Sequence, residues 1–153
     1  MSDVTVMTAL LAAIAGLSLS FAARRTAAIA SAVFAAAAAM SSSAVLPASD
    51  TAAATIWLSA AFGGGVAAIF RPTSPGVLLP LAAGFGFAAA LRVPAADAWG
   101  LFAFLLILPA SALNRRGGSV ATRTLVSWAV AATILAAVLP LVSLPGSAPA
   151  HME

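Results

Sequence analysis

The chain contains no cysteine and no lysine, and only 7% of its 153 residues are charged. Each shortage excludes something. Without cysteine there are no disulfides, no thiolate metal ligands, no thiol nucleophile and no cysteine-held iron–sulfur cluster. Without lysine, all seven basic residues are arginine. A soluble domain carries about 25% charged residues, so this chain has too few to cover a globule with a wettable surface. Acids are scarcer still, at four in total. The high calculated pI of 11.6 therefore reflects missing acids rather than a nucleic-acid-binding face. The arginines are spread between apolar runs, not interleaved with aromatics, and no nucleic-acid partner is expected.

No acid, histidine or lysine falls within an apolar run. The lone histidine, His151, lies in the terminal tail beside Met152. A serine nucleophile has no base to activate it, and no metal constellation is present. The chain reads as a non-enzyme with no cofactor, and a self-sufficient proton-coupled carrier is disfavoured because such carriers place an ionisable group inside the membrane.

What is present in excess is apolar: 63% of the residues. A helix needs about 20 apolar residues to cross a bilayer, and six segments approach this. They are Val4–Ala22, Ala27–Leu46, Ala52–Phe70, Gly76–Leu91, Ala98–Leu113 and Thr124–Ser143. The expected fold is an all-α integral membrane protein, one polytopic domain over residues 1–153 built as a bundle of six transmembrane helices. The acidic start Met1-Ser2-Asp3, with Arg24 and Arg25 after the apolar run, is the reverse of a signal peptide's charge order.

Charge sets the expected topology. Arg24, Arg25, Arg71, Arg115, Arg116 and Arg123 fall in the first, third and fifth connections, whereas Asp50 and Asp97 fall in the second and fourth. Arginine is retained in the cytoplasm, so both termini are expected outside. Heavy use of Ala, Arg, Gly and Pro suggests a GC-rich genome and hence a bacterial cytoplasmic (inner) membrane. Trp99 and Trp128 fall at interface depth and Trp57 somewhat deeper, where amphipathic rings anchor a helix.

The fourth and fifth segments are short. About 16 apolar residues give roughly 24 Å of α-helix against about 30 Å of hydrocarbon. The alternative is four transmembrane helices plus a re-entrant hairpin, which would bury Arg92 and Asp97 as an ion pair.

Candidate positions for a solute pathway are also candidates for helix packing. Gly63, Gly64 and Gly65 form a triplet inside the third segment, suited to a broken helix or to close helix approach. Pro80, Pro109 and Pro140 each remove a helix hydrogen bond and tend to kink the helix. Ser41, Ser42 and Ser43 are the one polar cluster in a span; their hydroxyls can bond their own helix or a neighbouring one. Two functions fit. The first is a small oligomeric permease-type protein, a pore, a carrier or the membrane subunit of a transporter. The second is a non-catalytic accessory or structural subunit of a larger membrane complex. Expected partners are the lipid bilayer and other membrane helices, in a homo-oligomer or a larger complex.

Overall fold

A computed structural model describes residues 3–43, 50–70, 74–91, 93 and 95–139. Among these the chain is all-helical, with no strand. The elements are α1 (Asp3–Leu19), α2 (Arg24–Ser43), α3 (Asp50–Phe70), α4 (Pro75–Ala90), a 3-10 helix (Ala95–Leu106) that runs straight into α5 (Ile107–Arg115), and α6 (Ser119–Val138). Counting the joined fifth element once, there are six helices, one for each expected segment. Three are long and apolar enough to cross a membrane, over Arg24–Ser42, Thr51–Phe70 and Ser119–Val138; Thr5–Leu19, Pro75–Ala90 and Trp99–Arg115 are shorter apolar helices.

The first helix occupies the axis of the bundle. It packs against α3, α4, the 3-10 helix, α5 and α6, while α2 lies outside it, mainly on α4. From Met7 to Ser20 nearly every residue of this stretch is buried, whichever way it faces. A helix surrounded on all sides needs an apolar surface all round, and α1 has one: it is Ala, Leu, Ile, Val, Met and Gly with three small hydroxyls and no charge beyond its first residue.

Cross-bundle contacts set the directions. Ser41, near the carboxyl end of α2, meets Phe87, near the carboxyl end of α4. Ser18, at the end of α1, meets Gly64 in the second half of α3. Gly100 lies against Thr5 and Ala9, and Gly16 against Phe104 and Ile107, so the fifth element runs with α1. The carboxyl-terminal part of α4 lies beside that of α2, and a Trp57–Ala88 hydrogen bond ties it to the amino-terminal half of α3.

The fifth element also departs from the expected uniform α-helix. Twelve residues of 3-10 helix are an unusually long run. At about 2.0 Å per residue they cover about 24 Å, against about 18 Å for the same residues in an α-helix. With α5 the element reaches about 37 Å, enough to cover the expected shortfall. Along the element Gly100, Phe104, Ile107 and Ala110 are buried, whereas Trp99, Phe102, Leu105 and Leu108 are exposed. Side chains three apart eclipse in a 3-10 helix, which brings the Trp99 and Phe102 rings to 5.5 Å. Pro109 is the third residue of α5, just past the junction with the 3-10 helix, and the helix continues through it.

Candidate functional site

The glycine triplet sits where α3 meets three neighbours. Successive helix residues point about 100° apart. A side chain at Gly63 would face Leu81 of α4, one at Gly64 would meet Ile14 of α1 and Phe85 of α4, and one at Gly65 would face Val130 of α6. The helix runs unbroken through all three. The Ser18 hydroxyl donates to the Gly64 carbonyl at 3.3 Å, a contact that needs the two backbones close. Glycine plays the same part between α2 and α4, where Gly86 faces the Phe34 carbonyl and the Ala37 methyl.

The hydroxyl cluster divides. Ser41 is buried and donates across to the Phe87 carbonyl of α4 at 3.0 Å. Ser42 is exposed and donates within its own helix to Ala39 at 2.9 Å. The Ser43 side chain lies outside the described residues, as do Arg71, Arg92, Pro140, His151 and the Asp97 side chain. Trp57 is half-buried; its indole N–H donates to the Ala88 carbonyl at 3.1 Å and clamps α3 to α4. Trp99 and Trp128 are each 75% exposed on the outside of the bundle.

Two surface features border these residues. Between α3 and α4 runs a shallow groove bordered by Thr55, Ser59, Gly63, Pro80 and Gly84. Its α3 wall repeats a small residue every four positions. Neither hydroxyl on that wall points a free donor outward: Thr55 donates to the Thr51 carbonyl and Ser59 to the Thr55 carbonyl, each at 2.8 Å. The α4 helix continues through Pro80, and a side chain at Gly84 would meet nothing within 4 Å.

The second feature, at the arginine end, was not anticipated. Thr122 of α6 donates to Asn114 Oδ1 at 2.7 Å, Asn114 Nδ2 donates to Ser20 Oγ at 2.8 Å, and Ser20 donates to the Leu17 carbonyl at 2.6 Å. The relay ties α6, α5 and α1 together. Beside it, α5 ends in a turn in which Gly118 N–H bonds the Leu113 carbonyl and Gly117 N–H the Asn114 carbonyl, with Gly117 at φ +87°. That is a Schellman cap, whose left-handed residue favours glycine. The sequence did carry a signal, because Asn114 is the only side-chain amide in the chain. A cleft of about 920 Å³ opens next to the relay, between α2 and α5.

Among the described residues, no buried side-chain nitrogen or oxygen lacks a hydrogen-bond partner. Among these residues α1 fills the axis of the bundle. Comparison with known proteins adds no assignment, since no family model, no curated protein and no solved structure matches this chain.

Proposed function

We propose that this chain is an integral membrane protein whose six helical elements all cross the bilayer, in a bacterial cytoplasmic membrane, with the arginine end inside and both termini outside. Three elements have the length and apolarity to do so as α-helices, and the 3-10 stretch lengthens a fourth. The alternating directions of the helices bring the described arginines, Arg24, Arg25, Arg115, Arg116 and Arg123, to one end, in keeping with cytoplasmic retention of positive charge. The exposed faces carry large apolar side chains such as Phe62, Phe70, Leu108 and Leu135, suited to lipid or to other helices.

Within the membrane its role is that of a non-catalytic subunit that packs against other membrane helices. One observation carries this reading: among the described residues α1 fills the axis of the bundle and no buried side-chain polar atom is left without a partner, which suits a packing subunit. The α3–α4 groove, with small residues and internally bonded hydroxyls, suits the close approach of a helix from another subunit. The permease reading survives in one form, with a pathway between protomers along that same groove, where Gly63 and Pro80 lie.

Purification in mild detergent tests the choice. Stoichiometric recovery with larger, different membrane subunits is the expected result. A homo-oligomer that conducts solute in proteoliposomes would replace this reading with the permease, and a strictly monomeric protein would sink both.

A further inference from the structure

The cleft between α2 and α5 differs from the α3–α4 groove in one respect: it is charged at one end. Its floor is the end of α1 and the turn after it, at Ser20 and Phe21. Its walls are Arg24, Ala28 and Ser31 from α2 and Ile107, Leu108, Ser111 and Arg115 from α5. None of the described residues that line it is acidic. The Arg115 guanidinium is held in place, with Nε donating to the Ser111 carbonyl at 3.2 Å and Nη2 to the Ser111 hydroxyl at 3.4 Å. A guanidinium has five N–H donors, so three remain to meet a ligand. One turn further from the arginine end, the rings of Phe34 and Phe104 stack at 4.1 Å and bridge α2 to the 3-10 helix. The cleft is thus cationic at its mouth, apolar along its walls, and backed by an aromatic pair.

We propose that this cleft binds an anionic phospholipid, with the phosphodiester on Arg24 and Arg115 and an acyl chain along Ala28, Ile107 and Leu108. The proposal rests on the membrane reading, which puts the arginine end at the cytoplasmic leaflet, where anionic lipids give a negative surface potential. A basic recess between helices on that side is complementary to a lipid phosphate, and an uncharged groove is not. Free phosphate would use the arginines alone; the apolar walls commit the site to a lipid. Among the described residues, neither arginine has a protein carboxylate in the cleft to compete with a lipid phosphate.

The test uses the full chain in mild detergent, with lipid retention read by native mass spectrometry. The probes are phosphatidylglycerol, phosphatidylcholine and inorganic phosphate. Phosphatidylglycerol is expected to be retained over phosphatidylcholine, and inorganic phosphate not to displace it. Arg24→Gln and Arg115→Gln should each lower retention about fivefold, and the pair about thirtyfold. Arg123→Gln, at the same end but outside this cleft, should leave retention unchanged. Ala28→Trp should reduce retention with no change of charge, because Ala28 is exposed on the groove wall. Equal retention of the two lipids, indifference to both arginines, or displacement by phosphate alone would overturn the proposal. Resistance to alkaline extraction, measured on every variant, separates the two claims. A protein stripped from the membrane refutes the membrane reading and the lipid site with it. An inserted protein with no lipid preference refutes the lipid site alone.

Discussion

Replacing Gly64 by alanine tests how tightly the central helix is gripped. A methyl group there would overlap Ile14 Cγ2 and come within 2.8 Å of Phe85 Cζ, both on buried side chains. Overpacking of this kind costs about 1–3 kcal/mol. Exchanging glycine for alanine inside a helix returns about 1 kcal/mol. The expected net effect of Gly64→Ala is a loss of about 1 kcal/mol, larger for Gly64→Leu. Ile14→Ala removes the obstructing methyl and leaves space beside Phe85 into which that ring can shift away from the added methyl. In that background Gly64→Ala should be neutral or mildly stabilising, which gives a coupling of about 1–2 kcal/mol, as expected for residues in contact. Gly84→Ala provides the opposite sign, since nothing lies within 4 Å of the added methyl; it should stabilise by about 0.5–1 kcal/mol. The assay is reversible unfolding in mixed micelles titrated with a denaturing detergent and followed by circular dichroism. A Gly64→Ala protein as stable as the parent, with no coupling to Ile14, would refute this packing of α3 on α1.

Three further substitutions probe the arginine end and the hydroxyl cluster. Asn114→Leu breaks two interhelical hydrogen bonds and should lower stability in the same assay by about 1 kcal/mol, whereas Ser42→Ala, which loses only a bond within its own helix, should change it little. Gly117→Ala places a side chain at φ +87° and should cost about 1–2 kcal/mol, seen as a lower unfolding midpoint.

The outline of the bundle was legible because apolar runs and their arginine and proline breaks are local features. Each expected segment corresponds to a helix, with ends shifted by a few residues, as at α6, which starts at Ser119 rather than Thr124. The 3-10 helix was not read because a count of apolar residues carries no rise per residue. The run Leu101–Leu108 is apolar at every position, so the sequence shows no period there from which to tell a 3-10 helix from an α-helix. The position of α1 on the axis was equally hidden: an all-round apolar helix suits lipid as well as protein, and only packing separates the two. The triplet Gly63-Gly64-Gly65 was recognisable as unusual, but the three neighbours it faces are set by tertiary contacts that no local pattern encodes. The Thr122–Asn114–Ser20 relay joins residues up to 94 apart, and of these only Asn114 was conspicuous in the sequence.

The central claim is the six-span arrangement with the arginine end inside, and site-directed labelling tests it most directly. The chain has no cysteine of its own, so each introduced thiol reports alone. Asp50→Cys and Asp97→Cys are expected to react with an impermeant thiol reagent added to intact cells, and Arg24→Cys and Arg116→Cys to react only after the cells are opened. Labelling of Arg116→Cys but not Asp50→Cys in intact cells would invert the topology, and labelling of all four without opening the cells would contradict a membrane-spanning bundle altogether.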